Sequence, residues 1–578
     1  EQFVGFGLPH SAAKTIGNFQ RSAAFAECVC GDFYDRAGCR VLVDAAIFHS
    51  WAARWLGKRW LTMPDLKWWE TAVIYQIYPR SFQDSNSDGI GDLPGITTRL
   101  EYIANLGVDA IWISPFYPSP QKDFGYDVSD YCDINPEYGT LADFDALIAK
   151  AHGLGLRVMI DIVPGHCSDQ HAWFEESRQS RDNPKADWFH WSDPLADGSA
   201  PTNWLSFFGG RAWTWEPRRQ QYYLHNFLPS QPNLNHANPS VVEAFRQIAR
   251  FWFDRGVDGF RMDAVHTVNA DTAPYRDNLP KPNFKLGSLP QEQQPFFRQL
   301  HDSAQLNQPA IQSFIEAFRK VADEYEGDRF LMGELHGDNP VLASETFTAP
   351  GRLHATYNFN LLEWAGLDVA GLEQAISNAI EAFNGTGRLT FAFSNHDVPR
   401  SATRQMAPLG LGQEHQEALQ LLLLRLETSL IGSTCVYQGE ELALSDVQDI
   451  PLDQMQDPWG IEFAPVFLGR DTCRTPMVWR KSDNSWGGFS DAVSTWLPVA
   501  EPHLSRAGLD EAERPGSVYC QFAEFLTWRK AQPAMMRANN MTLVASGPKE
   551  IVFDRMSETQ NLRCRFDFET LTASIAEI

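Results

Sequence analysis

This sequence predicts a (β/α)8 TIM barrel with an inserted domain after strand 3 and a small C-terminal β domain. Three observations point there. Short apolar runs recur along the chain, separated by stretches with helical periodicity. The runs are apolar throughout, as in Val-Met-Ile-Asp-Ile-Val at 158–163, which is the pattern of strands buried on both faces. Three later segments end on a carboxylate: Gly259-Phe260-Arg261-Met262-Asp263, Phe330-Leu331-Met332-Gly333-Glu334 and Phe393-Ser394-Asn395-His396-Asp397. Barrel enzymes carry their chemistry at such C-terminal strand ends.

The elements follow in order. The first strand is expected at 73–78, before a glycine-rich loop and a helix at 96–106. A second strand at 110–115 leads through a long loop to a helix at 141–154, and the third strand is 158–163. Asn238-Pro239 opens an amphipathic helix at 240–255. The Asp263 and Glu334 strands come next, then strands at 356–358, 389–393 and 434–437, which completes eight. Residues 63–165 and 237–530 therefore form the two parts of the barrel. Residues 166–236, rich in Trp, Pro, Asn and Gly, are too long for a plain loop and read as an inserted B domain. A second irregular insertion lies at about 440–488, and 531–578 read as a short β domain with strands near 541–544 and 551–553. Residues 1–62 lack clean periodicity and precede Met63-Pro64, which reads as a natural start. They are an extension outside the fold, either upstream-translated or loosely packed.

At 578 residues the chain can bury a large core. A formal net charge of −25 argues against nucleic acid and anionic membrane surfaces as partners, and leaves a neutral small molecule compatible. The same charge also serves solubility alone. The 9 cysteines show no repeated spacing, and Cys28-Val29-Cys30 with Cys39 lacks a fourth ligand at finger spacing. Free thiols in a reducing compartment are expected. The aliphatic run of Leu419 and 421–424 is broken by Gln420 and Arg425, so it reads as a core helix, not a membrane span. No basic stretch followed by an apolar core marks a secretory signal, so the cytoplasm is the expected location. Composition is silent on oligomeric state.

Three acids converging on one barrel mouth supply what glycosidic bond cleavage needs: a nucleophile, a proton donor and a further negative charge. Alone, each has a plainer reading as a helix cap, an ion-pair partner or turn chemistry. A separate loop, Asp84-Ser85-Asn86-Ser87-Asp88-Gly89-Ile90-Gly91-Asp92, sets oxygen-bearing side chains at alternate positions around a glycine, a pattern that suits a hard cation. It starts like an EF-hand, but Gly95 stands where that motif needs glutamate. The alternative is an Asx-turn loop without metal.

Eight ordered motifs resemble the α-amylase family of glycoside hydrolases, family 13, in its α-glucosidase and oligo-1,6-glucosidase branch. They are 73–80 with Ser81-Phe82, the 84–92 loop, Gly125-Tyr126-Asp127, 161–166, 259–263, Gly333-Glu334, Asn395-His396-Asp397 and Arg474-Thr475-Pro476-Met477. The resemblance runs from about 68 to about 530. It implies a retaining exo-α-glucosidase that releases glucose from the non-reducing end of maltose and short α-glucosides through a covalent glucosyl-Asp intermediate. Transglucosylation follows where an alcohol or sugar outcompetes water.

The resemblance assigns roles residue by residue. Asp263 would be the nucleophile, held ionised by Arg261, and Glu334 the acid/base at the ~5–5.5 Å carboxyl spacing of retaining enzymes. Asp397, His396 and His166 would bind the sugar ring, and Asp127 would clamp its 4- and 6-hydroxyls. Arg400 would pair with the acids, Arg470 would add an arginine at the same sugar, and Phe189 and Phe227 would form apolar walls. Asp84, Asn86, Asp88, the Ile90 carbonyl and Asp92 would hold structural Ca2+ or Mg2+, and no organic cofactor is implied. Ala264, after the nucleophile, goes with α-1,4 linkages in this branch, where valine goes with α-1,6. One departure is Gly165, where asparagine commonly precedes the histidine. Within the class, oligo-1,6-glucosidase, sucrose hydrolase and isomerising glucosyltransferase remain alternatives. From another class, a non-catalytic transporter-associated relative would share the barrel but lack the acids and carry a membrane anchor.

Overall fold

Eight strands alternate with helices and close on themselves. The computed structural model describes residues 66–268, 275–280, 304–335, 340–363, 365–465, 467–481, 486–537 and 540–578. The expected extension at 1–62 lies outside the described residues. In chain order the first strands are β1 (Val73–Ile77), β2 (Ala110–Ile113) and β3 (Arg157–Ile162). Then come β4 (Trp191–Ser192), β5 (Trp213–Glu216) and β6 (Gln221–Leu224) of the insertion. The barrel resumes with β7 (Gly259–Met262), β8 (Phe330–Leu335), β9 (Ala355–Asn358), β10 (Leu389–Phe391) and β11 (Ser433–Tyr437). Barrel neighbours follow chain order, and β11 closes on β1 with Val73 opposite Thr434, every pair being parallel.

Residues on the inward face of the strands fill the barrel, among them Ile74, Trp112, Met159, Met332 and Tyr357. Outward residues such as Val73, Ile111, Val158 and Phe260 pack beneath the helices. That two-sided burial is why the strands read as continuous apolar runs. Helix boundaries follow their caps. The helix Leu93–Leu106 starts three residues before the sequence expectation because the Asp92 side chain accepts from the Gly95 N–H at 2.6 Å. It stops at Gly107, whose φ of 93° suits a residue without Cβ. Asn238 caps the helix Pro239–Asp254, which buries Phe245, Ile248, Trp252 and Phe253.

The insertion after β3 holds a three-stranded antiparallel sheet in the order β4-β6-β5. Beyond the barrel, β12 (Met541–Gly547), β13 (Glu550–Met556), β14 (Asn561–Asp567) and β15 (Thr572–Glu577) form a four-stranded antiparallel sheet. Its inner face, with Phe553, Leu562 and Phe566, shares a core with Leu419 and Leu423 of the helix Gln416–Ser429. Among the described residues no helix is long and apolar enough to cross a membrane.

Candidate active site

Arg261 sits at the centre of the site. It is fully buried on β7, two residues before Asp263, so strand alternation puts both side chains on one face. Its Nη1 lies 2.7 Å from Asp263 Oδ1 and 2.8 Å from Asp161 Oδ1, while Nη2 lies 2.7 Å from Glu334 Oε2. The Ala264 N–H also donates to Glu334 Oε2, at 2.8 Å. One guanidinium therefore holds acids from β3, from β8 and from the residue that follows β7. The Asp263 and Glu334 carboxyls sit side by side on its two terminal nitrogens. Two carboxyls on one guanidinium suit the shorter spacing of retaining glycosidases, about 5–5.5 Å, since inverting enzymes need a gap of roughly 6.5–9.5 Å for water.

Burial pushes both Asp263 and Glu334 up, and neighbouring carboxylates add to it, while Arg261 opposes it. The expectation that Arg261 lowers the Asp263 pKa is thereby corrected, because burial and the neighbouring carboxylates outweigh the guanidinium. Burial also pushes Asp161 up to about 6 against the pull of Arg261.

Asp397 behaves oppositely. Burial alone would raise it, but the His396 ring, Arg470 and Arg474 hold its carboxyl well below the usual range. Arg474 Nη2 lies 2.9 Å from Asp397 Oδ1 and Arg470 Nη1 lies 3.2 Å from the same atom. His396 is fixed between Gln76 Nε2 at 2.8 Å and the Tyr126 hydroxyl at 2.6 Å, with Asp397 Oδ2 3.2 Å from its Nε2. Burial keeps His396 neutral and pushes His166 down to about 4. The His166 Nε2 faces the Tyr126 carbonyl at 3.1 Å and Gln231 Nε2 at 3.2 Å.

Part of this set borders a cavity of about 170 Å³, whereas Arg261, Asp161, Arg474 and His396, the last expected on the sugar ring, are buried and do not line it. Drug-sized sites run to roughly 300–1,000 Å³, so this one suits a single small ring. Asp263, Glu334, Asp397, His166 and Arg470 line it, as do Ala264 and Phe227.

Three expected contacts are corrected. Asp127 does not face the cavity. It is fully buried and accepts from Ser119 Oγ at 2.8 Å and from the Lys122 and Asp123 amides at 3.0 and 3.1 Å. Asp123 lines the cavity instead, bound by Arg470 Nη2 at 2.8 Å and Gln231 Nε2 at 2.9 Å. Arg400 does not pair with the acids, because its Nη1 and Nη2 donate to the Gln438 and Cys473 carbonyls at 2.7 and 3.1 Å. Arg474 takes that place beside Arg470. Phe189 packs edge-on to Phe174 inside the insertion, with ring centroids 5.0 Å apart.

Aromatic walls that sequence reasoning did not single out are Phe207, Phe208, Phe359 and Trp459. Phe207 stacks on Phe227 with centroids 5.2 Å apart, and the Arg470 guanidinium sits 5.0 Å over the Phe208 ring. At Gly165 a Cβ would come 2.6 Å from Thr267 Oγ1, which explains the missing side chain before His166.

The 84–92 loop folds as nested Asx turns. Asp84 accepts from the Asn86, Ser87 and Gly89 amides and from Ser490 Oγ, and Asp92 accepts from Ser85 and Gly95. The Asn86 and Asp88 side chains accept from amides two residues on. Among the described residues no group of three or more His, Cys, Asp or Glu is gathered for a metal. A cation would take Asp84 from the Ser490 hydroxyl, the one rotatable donor of its four.

Buried acids paired on one arginine at strand ends, with a third acid held ionised across the same cavity, define the class as a glycoside hydrolase. The sequence then places it: the family model described as "Alpha amylase, catalytic domain" matches residues 76–538, and the chain belongs to the α-amylase family. It is 46% identical over 521 residues to a "Probable alpha-glucosidase" of Rhizobium meliloti, covering 89% of this chain and 92% of that one. It is 34% identical to an "Oligo-1,6-glucosidase" of Halalkalibacterium halodurans, over 87% of this chain and 92% of the other. Among solved structures it is similar to an α-glucosyl transfer enzyme with a TM-score of 0.82 and 45% identity, covering 87% and 92% of the two chains.

Proposed function

We propose that this enzyme is a retaining exo-α-glucosidase that hydrolyses α-1,4-linked glucose from maltose-sized substrates. The observation that carries the reading is the Arg261 bridge, which brings Asp263 and Glu334 together at the floor of a cavity the size of one ring. In the proposed reaction Asp263 attacks C1 of the non-reducing glucose. Glu334 gives its proton to the departing glycosidic oxygen as the C1–O bond breaks. The leaving sugar departs and a glucosyl ester on Asp263 remains. Glu334, now ionised, takes a proton from water, whose oxygen attacks C1, frees Asp263 and releases glucose with its configuration retained. A sugar or alcohol in place of that water gives transglucosylation. Asp397, fixed by two arginines, binds ring hydroxyls and stabilises the oxocarbenium-like transition state. The Asp123–Arg470 pair closes the non-reducing end.

The relatives named as α-glucosidases and maltases support hydrolysis of maltose-like α-glucosides, and the likeness to an α-glucosyl transfer enzyme supports the transfer branch. The small Ala264 beside Glu334 supports an open approach for the leaving sugar. A structural Ca2+ or Mg2+ in the 84–92 loop belongs to the proposal, held by Asp84, Asn86, Asp88, the Ile90 carbonyl and Asp92. Alternate oxygen side chains around Gly89 support it. A cytoplasmic location also belongs to the proposal, supported by the six cysteines that are free among the described residues.

The test is glucose release from maltose, isomaltose and sucrose in parallel, with Asp263→Asn as control. Maltose turnover well above isomaltose supports the assignment. Preference for isomaltose or sucrose keeps the mechanism and overturns the linkage. Absence of turnover on any α-glucoside overturns the reading.

A further inference from the structure

A carboxylate that never reaches the cavity grips both ends of the loop that carries Asp397. Glu440, 1% exposed, follows β11 and begins a short 3-10 helix, Glu440–Leu442. Its Oε1 accepts from the Ser394 and Ser401 hydroxyls, each at 2.7 Å, and from Gln420 Nε2 at 3.3 Å. Its Oε2 accepts from the Tyr437 N–H at 2.9 Å. Ser394 Oγ in turn accepts from the Ser401 N–H at 2.8 Å, so the carboxylate and the two serines form a closed ring of hydrogen bonds. Between those serines run Asn395, His396 and Asp397. Asn395 Oδ1 accepts from the Asp397 and Val398 amides at 2.8 and 3.0 Å. The direction of the Asp397 side chain is thus set by a turn whose two ends meet on Glu440.

We propose that Glu440 is a positioning residue for Asp397, acting through Ser394 and Ser401, and that it governs turnover more than substrate binding. The inference rests on the role given to Asp397 above. A displacement of about 1 Å at a transition-state contact costs about 100-fold in rate, and loss of Glu440 takes the acceptor from the Ser394 hydroxyl and leaves the Ser401 hydroxyl to Gln420 Oε1 at 2.9 Å. Glutamine in place of Glu440 keeps the shape but supplies only one acceptor oxygen for donors that arrive on both. The oxygen goes to the Tyr437 amide, which cannot rotate away, and the new NH2 faces the serines.

Glu441 is the internal control. It is equally buried and adjacent in sequence, yet it accepts from the Tyr75 and Tyr102 hydroxyls at 2.8 and 2.9 Å and holds no part of the Asp397 loop. Steady-state kinetics on maltose and thermal unfolding are measured for the wild type, Glu440→Gln, Glu441→Gln, Ser394→Ala and Asp397→Asn. The expected result for Glu440→Gln is a fall in kcat of about 10- to 100-fold with KM within about threefold. Glu441→Gln lowers Tm at least as far but keeps kcat within about threefold, and Ser394→Ala lowers kcat in the same direction as Glu440→Gln. Equal kcat losses in the two glutamine variants, or wild-type kcat in Glu440→Gln, overturn the inference. If Glu440→Gln does not fold, wild-type kcat in Ser394→Ala overturns it instead. Asp397→Asn separates the two levels. If that variant turns over like the wild type, the reading of the site fails. If it is inactive while Glu440→Gln is unimpaired, only the positioning role fails.

Discussion

Arg470 donates to Asp123 at 2.8 Å across 347 residues of sequence, tying the irregular segment after the last barrel strand to the loop after the second. This pair bounds the cavity where a sugar's non-reducing end would lie. Removing the charge by Asp123→Asn should raise KM for maltose about 10- to 100-fold, since a charge-assisted hydrogen bond contributes about 1.5–3 kcal/mol. Asp127→Asn should leave KM within about threefold and lower Tm, because its partners are Ser119 and loop amides. The reverse ranking in steady-state kinetics would return the clamp to Asp127.

Arg474 offers a test through pH. With Arg470 and His396 it outweighs the burial that would otherwise raise Asp397. In Arg474→Gln one cation is gone, so the Asp397 pKa must rise. The acid limb of the kcat/KM profile should move to higher pH, and activity near pH 5 should fall more than activity near pH 7. An unshifted limb would mean that Asp397 does not need to be ionised for turnover.

His236 connects stability to pH. Its Nε2 faces the Pro164 carbonyl at 2.6 Å, and burial pushes it from 6.5 down to about 4. A base depressed on folding contributes stability that is fully present above pH 6.5 and is lost as pH falls through 4. His236→Gln should therefore be less stable than the wild type at pH 7.5, with the gap narrowing by pH 4.5. Urea midpoints at the two pH values check this, and a constant gap would refute it.

The 84–92 loop is tested by chelation. Addition of EDTA should lower Tm, and Ca2+ should restore it, while turnover at 25 °C stays within about twofold because no loop residue lines the cavity. Asp88→Ala should remove the Ca2+ response. An EDTA-insensitive Tm in the wild type would leave the loop as a set of Asx turns.

Much of this was legible in the sequence because strand alternation and strand-end position are local properties. Arg261 and Asp263 share a face for that reason alone, and the apolar runs locate all eight strands to within a few residues. The errors fall where the chain leaves regular structure. Between Asp123 and Asp127, Phe124 and Gly125 both take positive φ, 46° and 102°. The chain reverses there, so spacing no longer tells which acid faces inward. Arg400 was expected among the acids because it is near Asp397 in sequence, but it lies at the start of the helix Ser401–Leu409 and turns to backbone carbonyls. A usable signal for Arg474 did exist. It stands four residues after Arg470, so one helical turn, Asp471–Arg474, presents both to Asp397. The aromatic walls carried no such signal, since Phe207 comes from the inserted domain and Trp459 from the short helix Pro458–Phe463, which only tertiary packing brings to one cavity.

Ala264 has a left-handed backbone, with φ of 38° and ψ of 44°. That conformation costs an L-residue roughly 1–2 kcal/mol and more when the side chain is β-branched. The position that would tune linkage preference is therefore also one where bulk is conformationally expensive. A lineage exchanging alanine for valine here must first hold spare stability elsewhere, so divergence of specificity in this fold is gated by the thermal margin of the whole barrel.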